Sequence, residues 1–437
     1  MAAVTRPSNS SNLRWVVCFL LFLATTINYM DRSVFSLIEP VLHGVSFMGW
    51  NPAADKFHQP IFDNNFGNVV IFFQIAYGIG LLISGRVVDR LGTKAGYAMA
   101  IAVWGLASMS HSLVTSVVGF YIARVCLGLG EAGNFPAAIK ATSEWFPSEE
   151  RGLATGLFNS GANFSALIAP LLVSAVTIHF GWRYAFVATG SMGMVWLVLW
   201  LLFPYARLRP SQDTLTQQYV ALPAEKQSFL SILLTRRAWA FALGKGLTDG
   251  VWWFYLFYLP QFLNRNYGLD LRAQYWFLVT VYLFSSVGSI FGGALSGILM
   301  KRGFSINAGR KIAMLSMAIC VIPIVFVPHV GSLFANNPWP ATALFALAAA
   351  AHQGWSANLF STTGDMFPSS AVSTVVGFGG AMGALGGAVF TAVVKKNLSL
   401  HPALIFTLAG SVYLLALLIM HLLVPRMGRP REAAEIG

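Results

Sequence analysis

Apolar stretches long enough to cross a membrane recur along the whole chain, and they limit the possible folds more than any motif does. A membrane-spanning helix needs about 20 apolar residues, and this chain is 56% hydrophobic and only 10% charged. Soluble proteins carry about 25% charged residues. Because the bilayer core offers no water to backbone polar groups, spans must be helices or a closed barrel, and such long stretches indicate helices. We therefore predict an all-α, multi-pass protein embedded in the lipid bilayer.

Twelve spans in two halves are predicted. The halves are residues 1–204 and 237–437, six helices each, and the polar stretch 205–236 is the linker between them. A long outer loop is predicted at 39–63. The spans are placed at 14–38, 64–85, 95–113, 116–140, 152–178, 184–204, 237–263, 274–299, 310–328, 340–365, 371–394 and 402–424.

The distribution of basic residues predicts the orientation, because cytoplasmic loops carry an excess of Lys and Arg. With both termini in the cytoplasm, 19 of the 28 Lys and Arg residues fall on the cytoplasmic side, six fall on the other side and three lie within spans. The net charge of +12 is therefore mainly a topology signal. Nucleic-acid binding is not expected.

Charged residues inside the predicted spans give the clearest indication of function, since a charge facing lipid costs at least a few kcal/mol. Asp31 and Arg32 lie in span 1, and Arg124 and Glu131 lie in span 4. Adjacent residues on a helix point in different directions, so Asp31 and Arg32 are expected to have different partners. Arg124 and Glu131 share a helix face but lie roughly 10 Å apart along the axis, too far for a direct ion pair.

These four residues predict a site that handles protons and a small anion. Burial disfavours the charged form of a carboxyl group and a nearby cation favours it, so Asp31 and Glu131 are candidates for proton coupling. Arg32 and Arg124 are candidates for binding a substrate carboxylate. The competing interpretations are that span 1 simply ends in water at Asp31 and that the span 4 charges form structural ion pairs.

Other polar residues within spans are weaker candidates for substrate contacts. Lys245 lies four residues before Asp249, so it either binds an anion or forms an ordinary i,i+4 ion pair. Trp253, in the same span as Lys245, is typical of a cavity wall. The remaining candidates could equally serve helix packing; they are Gln74, Tyr77, Asn159, Asn163, His352, Gln353, Trp355 and Asn358. The glycines between 377 and 387 predict close helix approach without a binding role.

The segment from Gly85 to Lys94 is predicted to be a cytoplasmic loop that acts as a gate latch. Gly85 would let another helix approach closely, and Asp89 would lie at a helix N-terminus in the other half, where the dipole favours a carboxylate. Arg90 and Lys94 would pair across the cytoplasmic face. A similar segment at 297–311 indicates a weak internal repeat, which is typical of transporters that rock about a midplane site. The alternative is an ordinary basic loop.

Several other classes of protein find no support in the sequence. There is no Walker A loop, no HExxH motif and no nucleophile elbow, so we do not expect an enzyme. The three cysteines are far apart and have no metal or disulfide spacing. Neither a metal nor a cofactor is therefore expected, apart from the proton as coupling ion.

The chain resembles the anion:cation symporter family of the major facilitator superfamily, and within it bacterial hexuronate transporters. The similar stretches are residues 28–32, 85–94 and 128–151, together with Phe158-Asn159 and Ala169-Pro170. The resemblance implies that Asp31 and Glu131 couple transport to the movement of protons. It also implies that Arg32 and Arg124 bind the substrate carboxylate, and that Tyr77 lies in the substrate pocket.

From these features we predict a monomeric, proton-coupled symporter of the bacterial inner membrane. It would import a sugar-acid anion, with a hexuronate such as galacturonate or glucuronate as the first candidate, by alternating access. Another organic anion, such as an aldonate, tartrate or a phthalate-like compound, stays open as substrate. So does an exchanger or facilitator without proton coupling. An exporter of amphipathic cations is disfavoured by the two arginines, and a non-transporting sensor by the absence of a signalling domain.

Overall fold

The computed structural model describes residues 10–42, 45–48, 55–208, 228–269, 273–333, 337–397 and 401–427. These residues are almost entirely helical, and they include no strand. The predicted all-α fold is therefore confirmed. Most of the predicted linker (209–227) and part of the predicted outer loop (43–44 and 49–54) lie outside the described residues.

Long helices joined by short connections make up the described chain. Before residue 209 they are α1 (Ser10–Leu37), α2 (Asp55–Leu91), α3 (Thr93–Ser110), α4 (Val117–Glu131), α5 (Asn134–Trp145), α6 (Ser148–Phe180) and α7 (Trp182–Leu202), here called the first helix set. After residue 227 they are α8 (Arg236–Tyr267), α9 (Tyr275–Lys301), α10 (Ile306–Val321), α11 (Val327–Leu333), α12 (Pro338–Met366), α13 (Ser369–Asn397) and α14 (Pro402–Leu423), the second helix set. Short helices lie at Glu39–Leu42, Tyr205–Leu208 and Phe229–Leu233, and 3-10 turns at Ser46–Met48, His111–Leu113 and Ile322–Phe326.

Eight helical segments of the described chain are long and apolar enough to cross a membrane by length and composition. They are α1, α2, α6, α7, α9, α13, α14 and the segment Ile306–Val330 that begins with α10. Two equally long helices, α8 and α12, fall outside this set. Both carry polar residues in mid-helix, such as Lys245 in α8 and His352 in α12, and these residues lower their apolar character.

Prolines interrupt the α-helix in two of the predicted spans: one span is divided, and the other changes from α-helix to 3-10 helix. The predicted span 116–140 is divided between α4 and α5, because Pro136 lacks an N–H and its ring crowds the carbonyl of residue 132. The predicted span 310–328 passes from α10 into the 3-10 turn Ile322–Phe326, which contains Pro323. The break after Glu131 places this residue at the last position of α4.

The segment 85–94 is helical and not the predicted loop. Helix α2 continues to Leu91, and α3 begins at Thr93. The chain turns at Gly92, whose φ of +80° favours glycine. Likewise, the segment from 297 remains helical to Lys301, and the turn falls at Gly303 with φ +95°.

The two helix sets pack against each other through α2 on α13 and α6 on α9. Glycines permit both contacts, since a Cβ added at Gly85 would collide with the carbonyl of Ser373, and one added at Gly152 with that of Gly293. Both contacts lie at the end of the helices that carries Asp89 and residue 151, here called the latch end. The helix sets are therefore closed on each other at the latch end.

Candidate functional site

Asp31, Arg32, Arg124 and Glu131, here called the α1–α4 cluster, come together in the first helix set. The carboxylate of Glu131 is fully buried, and one of its oxygens accepts a hydrogen bond of 2.9 Å from Nε of Arg32. Asp31 is also fully buried, and it accepts a hydrogen bond of 2.6 Å from Ser108 of α3. The expectation that Asp31 and Arg32 have different partners is confirmed.

Arg124 is buried, and the described residues provide no ion-pair partner for it. Its exposed fraction is 3%. The guanidinium carbon lies 4.4 Å from the ring centroid of Phe35 and 5.4 Å from that of Phe73. Its buried Nε has no hydrogen-bond partner among the residues that the structure describes. Since a buried charge is costly unless it is paired, Arg124 is the group of the cluster best suited to receive an anion.

Aromatic rings surround the guanidinium of Arg32. Its central carbon lies 4.4 Å from the ring centroid of Tyr77 and 4.9 Å from that of Tyr29. Tyr77 therefore lies beside the α1–α4 cluster, and its place in a substrate pocket stays a prediction. The predicted residue Gln74 lies one turn before Tyr77 and is exposed. The structure records no hydrogen bond for Gln74 to other described residues.

Lys245 and Asp249 form an ion pair of 2.8 Å within α8. Of the two interpretations open for Lys245, this geometry matches the i,i+4 ion pair. The Nζ atom also lies 4.4 Å from the ring centroid of Phe360 in α12. Trp253, the other candidate in α8, packs beside Gly387 of α13.

Two predicted substrate contacts instead join the two helix sets to each other. Asn159 of α6 donates a hydrogen bond of 2.7 Å to the side-chain oxygen of Gln353 in α12. It also donates one of 3.2 Å to Ser289 of α9. Asn163, one turn further along α6, is buried, and its amide nitrogen has no partner among the described residues.

The remaining candidates of α12 divide between packing and an aromatic group. Asn358 donates to the carbonyl oxygens of Gly292 and Gly354 at 2.7 and 2.9 Å, which matches the helix-packing interpretation. His352 shares a hydrogen bond of 2.6 Å with Tyr413 of α14 and stacks on Trp252 at 5.1 Å. Trp355 packs edge-on against Tyr413, and its buried indole N–H has no partner among the described residues.

Asp89 makes the contact expected of a latch. Its carboxylate accepts hydrogen bonds from the backbone N–H groups of Ser373 and Thr374, at 3.3 and 2.7 Å, near the start of α13. It also pairs with Lys140 of α5 at 2.8 Å. Asp89 thus lies near the N-terminal end of α13 in the other helix set, and Gly85 allows the close helix approach that the sequence predicts. The gate role of both residues stays a prediction.

Lys94 does not reach the other helix set, so the predicted pairing across the face is wrong for this residue. Its Nζ donates to the carbonyl oxygens of Leu201 and Phe203, at 2.9 and 3.0 Å, and caps the end of α7. Cations are favoured there by the helix dipole. Arg90 is exposed, and the structure records no ion pair for it with another described residue.

The sequence model of the protein family called the Major Facilitator Superfamily matches residues 21–391 of this chain. The chain belongs to the major facilitator superfamily. This membership confirms the prediction of a membrane transporter and not an enzyme. The all-helical fold of the described residues agrees with this membership.

Relatives of this major facilitator protein include named sugar-acid transporters. The hexuronate transporter of Escherichia coli (strain K12) is 31% identical over 396 residues, which is 87% of each chain. The galacturonate transporter of Dickeya chrysanthemi is 30% identical over 350 residues, 77% of this chain and 96% of that one. Among solved structures, the proton:xylose symporter XylE aligns with a TM-score of 0.75 over 95% of this chain and 97% of that one. Its identity is 15%, so this likeness concerns the fold alone.

A second contact at the latch end of this major facilitator protein was missed by the sequence analysis. Asp365, at the end of α12, accepts a hydrogen bond of 2.9 Å from Arg151 of α6 and one of 2.8 Å from Arg310 of α10. Arg310 also donates to the carbonyl oxygen of Ser148. An acidic residue at the end of an apolar stretch was the available signal, and its partners are far away in sequence.

Proposed function

We propose that this chain is a proton-coupled symporter that imports a sugar-acid anion, and that the anion is a hexuronate such as galacturonate or glucuronate. The observation that carries the proposal is Arg124, a buried cation without a carboxylate partner in the described chain, beside the Arg32–Glu131 ion pair. An anion from outside the protein would supply the missing partner. The hexuronate and galacturonate transporters among the relatives favour a sugar acid as that anion.

Proton coupling in this proposal comes from competition for Arg32. The ionised carboxylate of Glu131 holds Arg32 at 2.9 Å. Protonation of Glu131 removes this partner, and Arg32 then joins Arg124 in binding the substrate carboxylate through charge-assisted hydrogen bonds. Asp31, which Ser108 holds in place, is the second proposed proton carrier. A proton is the coupling ion in this scheme, and no cofactor takes part.

Alternating access would proceed by rocking of two halves, residues 1–204 and 237–437, joined by the linker 205–236. The contacts of Asp89 and Asp365 at the latch end support this proposal, because they would have to break for that end to open. We further propose twelve spans with both termini in the cytoplasm. The latch end would then face the cytoplasm of a bacterial inner membrane, and the protein would act as a monomer.

Uptake of radiolabelled galacturonate into proteoliposomes, with and without an inward proton gradient, tests the proposal. Accumulation that requires the gradient is the expected result. Gradient-independent exchange would keep the anion site and remove the proton roles of Asp31 and Glu131. Absence of uptake of both galacturonate and glucuronate would overturn the hexuronate assignment and leave the superfamily membership intact.

Arg124→Gln identifies the anion site in the same assay. We expect it to abolish uptake, because the cation without a carboxylate partner is lost. Arg265→Gln is the matched control, since Arg265 is exposed near the end of α8 and should tolerate the change. Equal uptake by the two variants would contradict the assignment of Arg124.

A further inference from the structure

The Lys245–Asp249 ion pair has no part in the proposed transport cycle. Its nitrogen and oxygen are 2.8 Å apart, and the two side chains are 8% and 17% exposed. A buried ion pair adds little stability, because removing both charges from water is costly. A stabilising role alone therefore does not account for this pair.

An aromatic bridge connects the Lys245–Asp249 pair with the α1–α4 cluster. Lys245 lies over Phe360, and Phe360 stacks on Phe135 of α5 with a centroid distance of 5.4 Å. Phe135 in turn packs edge-on against Tyr29 at 6.4 Å. The ring of Tyr29 lies beneath the guanidinium of Arg32. The two ion pairs thus lie on opposite sides of the contact between the helix sets.

Arg32 and Asp249 are the more accessible members of these two ion pairs. Their side chains are 18% and 17% exposed, whereas that of Glu131 is fully buried. A ligand between the two helix sets would therefore meet a guanidinium at one end and a carboxylate at the other.

A glycine in α13 makes room for the carboxylate of Asp249. A Cβ added at Gly383 would collide with a carboxylate oxygen of Asp249. Any larger residue at position 383 would therefore push this carboxylate away from its present place beside Lys245. The arrangement depends on three residues from two helices of the second helix set.

A neutral Lys–Asp pair suits hydroxyl groups and not a second carboxylate. A sugar hydroxyl can donate to Asp249 and accept from Lys245, whereas a carboxylate at this end would lie beside a like charge. We propose that Lys245 and Asp249 select a sugar acid that carries one carboxylate at one end and hydroxyl groups at the other, and that they exclude a sugar diacid. Hexuronates and aldonates meet this requirement, and aldarates do not. The inference rests on the proposed function and narrows its substrate class.

A competition assay tests this selection: it measures how strongly an unlabelled sugar acid inhibits the exchange of radiolabelled galacturonate in proteoliposomes. The competitors are unlabelled galacturonate, galactonate and galactarate, which share a carbon skeleton and differ in the end groups. For the unmodified protein we expect galactonate to compete, and galactarate to compete at least about tenfold more weakly than galacturonate. Equal competition by galactarate would overturn the inference and leave the proposed function standing.

Removal of the repelling charge should admit the diacid. In Asp249→Asn, Lys245 loses its partner and becomes available to a second carboxylate, so galactarate should gain at least about tenfold relative to galacturonate. In the double variant Lys245→Gln/Asp249→Asn the free cation is gone, and this gain should disappear. An unchanged ratio in Asp249→Asn would overturn the inference.

A second variant keeps every charge and covers the case in which Asp249→Asn does not fold. Gly383→Ala should displace Asp249 and reduce the preference for galacturonate over galactarate, whereas an unchanged preference would overturn the inference. Gly78→Ala is the control, since an added Cβ there meets nothing within 4 Å. If the unmodified protein exchanges none of the three sugar acids, the proposed function fails, and this inference fails with it.

Discussion

Arg151 of α6 donates a hydrogen bond of 2.9 Å to Asp365 of α12, and this contact joins the two helix sets at the latch end. The other oxygen of the same carboxylate accepts a hydrogen bond of 2.8 Å from Arg310. Asp89 makes a second contact at this end, where it accepts a hydrogen bond from the backbone of Thr374. Opening of the latch end therefore requires that both carboxylates lose their partners in the other helix set.

Replacement of Asp365 by asparagine is expected to favour the state that is open at the latch end. The change leaves Arg151 and Arg310 buried without their carboxylate, and breaking a buried pair in this way costs about 3 to 5 kcal/mol. A loss of only about 1.4 kcal/mol in the closed state shifts the equilibrium tenfold. Ser143 of α5 packs against Gly364 of α12, so a cysteine at position 143 reports on the opening of the latch end. We expect Ser143→Cys to react with a maleimide about tenfold faster when Asp365→Asn is also present.

The labelling experiment needs a background without reactive thiols and a matched control. Cys126 is exposed and Cys320 is half-buried, so both must first be replaced. Glu149→Gln removes a carboxylate at the same end, and the structure records no ion pair for Glu149 with another described residue. It should leave the labelling rate unchanged. A folded Asp365→Asn protein that labels at the control rate would contradict the role of Asp365 as a latch.

Gly85→Ala should disturb the other latch without changing any charge. The added Cβ would collide with the carbonyl oxygen of Ser373, and overpacking of this kind costs about 1 to 3 kcal/mol. We expect faster labelling at Ser143→Cys and a lower rate of galacturonate uptake. Gly78→Ala lies in the same helix and has free space around the added Cβ, so its uptake should match that of the unmodified protein. Identical behaviour of the two variants would show that the close approach at Gly85 is dispensable.

Local rules predicted some of these contacts, and the others depend on residues far apart in sequence. The position of Asp89 follows from a short motif together with the preference of a carboxylate for a helix N-terminus. The different directions of Asp31 and Arg32 follow from helix geometry alone. Asp365, in contrast, has partners 214 and 55 positions away. No local pattern specifies such a contact.

Residues with several possible partners were the hardest to assign from sequence. A polar side chain in an apolar helix indicates that a partner exists but does not say whether it is a ligand or another helix. Asn159 was a candidate substrate contact, yet it bonds to Gln353, which is 194 positions away. Lys94 was expected to pair across the face, yet the end of α7 lies closer. In both cases the packing of whole helices decides the partner.

Lys94→Ala should lower stability more than it affects the gate. Its ammonium group caps α7 through two carbonyl oxygens, and hydrogen bonds to charged groups contribute about 1.5 to 3 kcal/mol. We expect a lower melting temperature for the purified protein and an unchanged labelling rate at Ser143→Cys. Arg90→Ala is the control, because Arg90 is exposed and should alter neither quantity. Faster labelling in Lys94→Ala would restore a gate role for this residue.

Glu131→Gln should separate anion exchange from proton-driven accumulation. Glutamine cannot ionise, so Arg32 is released from its ion pair at every pH. We expect galacturonate exchange across proteoliposome membranes to persist, and accumulation driven by a proton gradient to fall by about tenfold or more. Glu150→Gln makes the same chemical change in α6, where Glu150 pairs with the partly exposed Arg14, and it should retain full accumulation.

The pH dependence of binding distinguishes competition for Arg32 from a merely structural role of Glu131. In the unmodified protein, rising pH ionises Glu131, returns Arg32 to its ion pair and so weakens galacturonate binding. By linkage, galacturonate binding must then be accompanied by proton uptake. In Glu131→Gln this contribution is absent, so affinity should vary less with pH and fewer protons should be taken up on binding.

Calorimetry in buffers of different ionisation enthalpy measures both quantities, the affinity for galacturonate and the number of protons taken up. Equal proton uptake by the two proteins would exclude Glu131 as a coupling group and would leave Asp31 as the candidate.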